Sequence, residues 1–551
     1  MKRIVTTIFL SIVCLIATYA TEGDIIEIIY SGSTATVIKP ETADISVTTN
    51  GAHVVVTAAS TLTEEYVYKL SGSSDAGSFT LSGSYKLTLE LAGLTLINSM
   101  GAAINIQCGK RCAVILDDGT VNTIADGIGG SQKAAMYFNG HPEFEGGGTL
   151  NVLGNSKHAI CAKEYLQIKK TTGTINIIGA ISDGIHCGKG RVGEFEKNYF
   201  QMSGGILNIE NVGSDAIDSD DYGRMNIKGG VINATVNVDE GTGLKCDSIF
   251  NMTGGTLNLT VNGRDAEAIR ANYAAYLLGG EIKVNIAGDG SKGIKCKNKV
   301  VGESTGPVYD GGVITIDGTY GVFYIHANNF FDDATGEETK VRAISADKDL
   351  IHSNGDIEIY AYGSLSNQFH SDTQVVNNGG SLSINQAPWK FYYADFQYDM
   401  TAYIGLELDD VLVDDLSGYA IGAFIGDQCV GVAVGDYLRI YSNTTTASKV
   451  TFKVYDLINE RSVTVLSASR DVTFANGTAA STADDPILLN CRATILGDVN
   501  GDGEVTIVDV VALVNVILGN AADIYNAADV NSDEKVTIVD VMALVNLIIG
   551  K

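Results

Sequence analysis

The sequence predicts an all-β chain built as a right-handed parallel β-helix, followed by a β-sandwich and closed by a small unit of two α-helices. Three observations carry that expectation. Short alternating strands recur at a fixed interval through the body, polar turns divide a second set of strands after residue 397, and an acidic loop with an apolar helical pattern behind it occurs twice near the C-terminus. Side chains alternate in a strand and repeat every 3.6 residues in a helix, so each pattern reports its own geometry.

The chain opens with MKRIVTTIFLSIVCLIATYA, where Lys2 and Arg3 precede a short apolar run and small or polar residues lead to Ala20. That layout is a secretory signal peptide over residues 1–20, and the run from Ile4 to Ala17 is short for a membrane span. Cys14 follows Ser11, Ile12 and Val13 without the small residue that should precede a lipidated cysteine. The expected location is therefore secreted or extracellular, with association to a cell surface left open. No later segment is long and apolar enough to be a transmembrane segment. Residues 21–65 read as a β-rich lead-in or cap, because the first strand edge and the core behind it need covering.

Residues 66–390 repeat. Glycines open the strands GGILNIE from Gly204, GGVINATV from Gly229, GGTLNLTV from Gly254 and GGEIKVNI from Gly279, at steps of 25 residues, and the next, GGVITIDG, follows at Gly311 after a step of 32. A second strand lies between these openings: DGIHC from Asp183, DAIDS from Asp215, TGLKC from Thr242, EAIRA from Glu267 and KGIKC from Lys292. Ile185, Ile217, Leu244, Ile269 and Ile294 recur in register there, with Cys187, Ser219, Cys246, Ala271 and Cys296 two residues later. A row of small groups at that spacing fills a crowded core position, and repetition alone generates it.

The outward residue of this second strand is His186, Asp218, Lys245, Arg270 and Lys295 in turn. Neighbouring strands lie about 4.8 Å apart, so three successive cations would form a line about 10 Å long. Acids from the same surface would neutralise such a line, or a chain with regularly spaced carboxylates would do so. Both readings stay open, a solvated ion-paired face and a carbohydrate-binding track. Asp215, Asp218, Asp220 and Asp221 form the densest acidic set and are candidate ligands for an additional metal ion, Ca2+. A formal charge of −28 makes nucleic acid an improbable partner and divalent cations plausible ones. Cys108 with Cys112, and Cys429 with Cys491, are the pairs in which a disulfide competes with buried free thiols.

YKLTLELAGLTLINSMGAAINIQ from Tyr85, CAVILDDGTVNTIADG from Cys112 and SDGIHCGKG from Ser182 resemble a family of secreted bacterial carbohydrate-binding β-helix domains first noted in cellulosome-bearing clostridia. The resemblance implies calcium and an acidic plant polysaccharide such as polygalacturonate, and a binding rather than an enzymatic role. It transfers no ligand residues.

Residues 391–494 hold the expected sandwich, with MTAYIGLELDDVLVDD, YAIGAFIGDQCVGVAV and VTFKVYD among its strands. It is similar to a module common in secreted multidomain proteins of Bacteroidetes. The aromatic cluster WKFYYADFQYDM at its start reads as a packed boundary.

Residues 495–551 carry the strongest signal. DVNGDGEVTIVD sets Asp498, Asn500, Asp502, Thr506 and Asp509 at loop positions 1, 3, 5, 9 and 12, with Glu504 offering its carbonyl at position 7. DVNSDEKVTIVD repeats this with Asp529, Asn531, Asp533, Thr537 and Asp540, and Lys535 at position 7. Each loop is a candidate Ca2+ site. Apolar helical patterns follow and end at Gly519 and Gly550. The unit closely resembles a type I dockerin, which implies two calcium ions and either a cohesin-like scaffold protein as partner or a capping contact on the neighbouring β-sandwich. In that family positions 10 and 11 set partner choice, here Ile507, Val508, Ile538 and Val539. Glu534 departs from the glycine usual at position 6, so strain or weaker affinity is expected in the second loop.

The expected function is non-catalytic binding of an acidic polysaccharide, joined to calcium-dependent docking. A calcium-dependent polysaccharide lyase and a structural surface or adhesin protein are the alternatives.

Overall fold

The computed structural model describes residues 25–549 apart from 42, 60, 129–131, 133, 189–197, 300–310, 333–335, 362–366, 386–388, 390–395, 460, 494, 502–503, 522–526 and 532–534. The expected signal peptide lies outside the described residues, as do Asp502, Asp533 and Glu534.

Two antiparallel hairpins, Ile25–Ser31 with Thr34–Ile38 and Ile45–Asn50 with His53–Ala58, start the body. Each hands on to a parallel strand, Tyr66–Ser74 for the first and Ser78–Ser82 for the second. From there the described strands form a 22-stranded sheet and a 13-stranded sheet, and residues one repeat apart pair directly. Leu257 pairs with Ile232 and Ile282, for example, and Leu244 pairs with Ile217 and Ile269. These apolar residues are almost fully buried in one continuous core running from Ile26 to Phe369.

The second glycine of each opening pair turns the chain. Gly255 and Gly280 have φ of +91° and +88°, and a Cβ on Gly280 would sit 2.6 Å from the Gly255 carbonyl oxygen. Only glycine supplies that conformation at that closeness. The chain bends there without leaving the sheet, so Tyr199–Ile209 and Arg224–Val236 pair on both sides of their glycines through shifts in register.

This continuity corrects the expected fold class. The right-handed parallel β-helix followed by a β-sandwich is not supported; the chain is all-β with parallel barrel and half-barrel character. Bent strands merge what would have been separate faces into one curved 22-stranded sheet opposite the 13-stranded one. In the second module, nine strands join as one connected sheet around their own core, with a parallel pair between Tyr398–Leu408 and Ile487–Ala493, where two facing sheets were expected. Period-two alternation fixes which face of a strand is buried but not whether neighbouring faces join.

A third apolar cluster bridges body and module, with Val322, Tyr324 and Tyr360 packed against Ala420, Phe424 and Val432. Trp389 meets Phe424 edge to face at 5.7 Å. Cys108, Cys112, Cys429 and Cys491 are free thiols rather than disulfides. The row Cys187, Ser219, Cys246, Ala271 and Cys296 pairs strand to strand inside the core. Burial pushes the Cys296 thiol up to about 12.

Two helices, α1 (Ile507–Ile517) and α2 (Ile538–Ile548), end the chain. Thr506 and Thr537 cap them through reciprocal bonds with Asp509 and Asp540. Leu513 and Leu544 are fully buried between them.

Candidate functional site

His186, Asp218, Lys245, Arg270 and Lys295 stand in direct register on the 13-stranded sheet. Five strands at parallel spacing make a column about 19 Å long. A second column that sequence reasoning missed, Thr242, Glu267, Lys292 and Arg342, runs beside it three residues earlier in each strand. The columns interleave their charges, and the face is polarised along its length.

One end is acidic. Metal-ligating atoms of His158, Asp183 and His186 lie within 4.8 Å of one another, and so do those of Asp183, Asp215 and Asp218. All five residues are buried. His186 Nδ1 is 3.0 Å from Asp183 Oδ2 and 3.6 Å from Asp218 Oδ2. Burial alone would lower the His186 imidazole, yet its two carboxylate neighbours carry it up to about 9. Burial would raise Asp183, but the His158 and His186 imidazoles beside it hold it far below the usual carboxylate range. His158 Nδ1 lies 3.1 Å from Asp183 but off the hydrogen-bonding direction, and Asp218 Oδ1 has no hydrogen-bond partner among the described residues. Lys245 Nζ reaches Asp215 Oδ2 at 2.8 Å and Asp218 Oδ2 at 3.3 Å. Those two acids hold the ammonium above its ordinary pKa despite its burial.

Of the four candidate metal-ligating aspartates, Asp215 and Asp218 thus converge, with Asp183 as a third partner. Asp220 lies beside Asp247 instead, whose carboxyl is raised first by burial and then by the Asp220 charge. Asp221 sits at an exposed turn with φ of +49°.

The other end is basic. Lys292 pairs with Asp265 at 3.1 Å, Lys295 pairs with Asp347, and Glu267 is shared by Arg270 at 3.8 Å and Lys297 at 3.5 Å. Arg342 donates to Ser345 Oγ at 3.2 Å, and its buried Nε has no hydrogen-bond partner among the described residues. Among the described residues these five cations face four carboxylates, with Asp372 acting on Arg342 beside Asp265, Glu267 and Asp347. Burial lowers the Lys297 ammonium, and the Arg270 and Lys299 charges add to that.

On the 22-stranded sheet, Asn151, Asn176, Asn208, Asn233 and Asn258 form an amide ladder, each Nδ2 donating to the preceding Oδ1 at 2.7 to 2.8 Å. The signal for it is an asparagine at the same place after each glycine. Tyr165 and Tyr199 stack 4.7 Å apart and nearly parallel, so each ring face covers the next.

The C-terminal loops wrap onto their last aspartate. Asp509 Oδ1 accepts from Asn500 N at 3.0 Å and Asp509 Oδ2 from Thr506 N at 2.8 Å, while Asp540 takes the same bonds from Asn531 and Thr537 at 3.2 and 2.8 Å. Asp498 Oδ1 accepts from Gly501 N at 2.8 Å. Asp509 and Asp540 are fully buried carboxylates aimed at the loop centre. An all-oxygen set around buried acids fits a calcium ion. Asp498, Asn500, Thr506 and Asp509 would hold it in the first loop, and Asp529, Asn531, Thr537 and Asp540 in the second. Glu504 and Lys535 are exposed, as residues that contribute only a carbonyl would be.

Residues 50–390 match the family described as carbohydrate-binding domain-containing protein, and that stretch is more than half of the chain. The chain belongs to this carbohydrate-binding domain family. Residues 496–549 match the type I dockerin domain, so the calcium-loop unit is a dockerin. Among solved structures, the polysaccharide lyase-like protein from C. thermocellum, as a gadolinium derivative, is similar at 20% identity, with a TM-score of 0.35, over 49% of this chain and 94% of that one. No curated protein matches the chain.

In the dockerin, Ile507, Val508, Ile538 and Val539 are 65%, 56%, 64% and 50% exposed. The two halves therefore present the same apolar pair to solvent. Because a bound calcium ion would tie each loop to the start of its helix, chelation is expected to unfold the dockerin. Asp509→Ala with Asp540→Ala should abolish the calcium-induced helical signal in circular dichroism, and an undiminished signal would contradict the ligand assignment.

Proposed function

We propose that this carbohydrate-binding protein holds an acidic plant-type polysaccharide such as polygalacturonate, without cleaving it, on the outer face of its 13-stranded sheet. The single observation that supports the reading is the excess of cations over carboxylates around Arg270, Lys295 and Arg342. A uronate carboxylate would supply the missing counter-charge there, bidentate at the arginines. At the acidic end, a calcium ion bridging Asp183, Asp215 and Asp218 to a further uronate would make binding calcium-dependent, with His186 and Asp218 lining the track. Lys245 lies between the two ends.

In this reading residues 1–20 direct secretion, 21–65 cover the first edge, 66–390 bind the glycan, 391–494 connect, and 495–551 dock, loaded with two calcium ions. The dockerin attaches the chain to a cohesin-like scaffold outside the cell through Ile507, Val508, Ile538 and Val539. The identical apolar pairs would allow the contact in either of two orientations.

Affinity electrophoresis in polygalacturonate, with and without a chelator, tests the reading. Calcium-dependent retardation without ultraviolet-absorbing unsaturated products is the expected outcome. Such products would make the protein a lyase, and neither retardation nor products would leave a structural surface role.

A further inference from the structure

Where the body meets the second module, a cleft of about 710 Å³ opens between them, on the other sheet from the charged column. Its floor is a row of outward residues on three paired strands, Thr260, Asn285 and Tyr324. The opposite wall comes from the module, with Tyr403 and Tyr437 packed edge to face at 5.2 Å and Arg439 beside Tyr437 and Tyr441. Two contacts across the gap hold the walls in place. His326 Nδ1 accepts from Val434 N at 2.8 Å, and Lys283 Nζ lies 3.5 Å from Asp415 Oδ2. The apolar junction of Val322 and Tyr324 with Val432 and Val434 lies beneath.

The volume falls in the range of pockets that enclose small ligands. The lining combines tyrosine rings, amides and carboxylates with an aliphatic patch of Leu416, Val432 and Val434. Amides and carboxylates together match hydroxyl groups, which donate and accept at once, while a tyrosine face receives an apolar C–H surface. Four carboxylates, Asp289, Asp414, Asp415 and Asp436, line the cleft against two cations, Lys283 and Arg439. That balance repels a polyanion. The carbohydrate-binding face has the opposite balance at its basic end.

We infer that this cleft is a second carbohydrate site, selective for a short neutral oligosaccharide segment, formed only where the two modules join. It goes beyond the proposed polyuronate site and does not depend on it. A protein with both would engage an acidic and a neutral polysaccharide at once.

Isothermal titration of the full chain with mannohexaose, xylohexaose and cellohexaose, and separately with trigalacturonate, tests the inference. At least one neutral hexaose should bind, and Tyr437→Ala should weaken it at least tenfold. Ala287 is exposed on the cleft floor, so Ala287→Trp should fill the cleft without disturbing the core and give a similar loss. Replacing Arg270, Lys295 and Arg342 by glutamine should leave neutral binding unchanged. Absence of binding by all three neutral hexaoses overturns the inference, as does binding that Ala287→Trp leaves intact. Trigalacturonate binding reports separately on the charged face.

Discussion

Exchanging Arg270, Lys295 and Arg342 together for glutamine is expected to weaken polygalacturonate binding by about 100-fold, since a hydrogen bond to a charged group contributes about 1.5 to 3 kcal/mol and two such losses suffice. The three residues sit where local acids are too few. Lys295 pairs with Asp347, Arg270 shares Glu267 with Lys297, and Arg342 has Ser345 as a hydrogen-bond partner. Glutamine keeps most of the side-chain bulk and removes the charge, so the apolar stems still cover the sheet. Titration at fixed calcium and ionic strength measures the loss, with circular dichroism as the check on folding. Raising the salt concentration should weaken the parent protein more than the variant, because the variant has less charge to screen. Equal affinity in both would place the polymer elsewhere.

Lys245→Ala is expected to destabilise the body by about 3 kcal/mol or more, because it leaves Asp215 and Asp218 buried and facing each other without their shared cation. The ammonium is 2.8 and 3.3 Å from the two carboxylates, and these are only 5% and 6% exposed. The lysine side chain itself is 24% exposed, which keeps the figure at the lower end of buried-pair losses. A lower denaturant midpoint would register the change. The triple change Lys245→Met, Asp215→Asn and Asp218→Asn removes the orphaned charges and should recover most of the stability. If Lys245→Ala left the midpoint where it was, the column would be a solvated surface at that point.

The two predictions separate what is legible in the sequence from what only the fold supplies. The 25-residue interval is enough to align Lys245, Arg270 and Lys295, because parallel pairing preserves the interval from strand to strand. The acids that engage them are not legible in the same way. Asp347 follows the Lys295 strand by one long insertion, so its contact depends on a loop path that no periodicity encodes. Asp183 is one acid among many in the sequence; only the fold shows it between two histidines. The fold class differs from expectation for a related reason. Alternation in Leu257 and Leu259 marks buried positions, whereas the bend at Gly255 that keeps the strand inside one curved sheet is a backbone property. The dockerin loops are fully legible in ligand spacing, but the second duty of Thr506 and Asp509 as a helix cap emerges only once the chain is folded. The cleft needs the placement of the module against the body, which no local pattern carries.

In the proposed function one polarised face of the 13-stranded sheet holds a uronate chain, with calcium at its acidic end and cations at its basic end. A crystal of the full chain soaked with calcium and trigalacturonate tests it most directly. Sugar carboxylates should lie within hydrogen-bonding distance of Arg270 and Arg342, with a calcium ion beside Asp183 and Asp218. A trigalacturonate bound away from this face, with the Lys245 column bare, would contradict it.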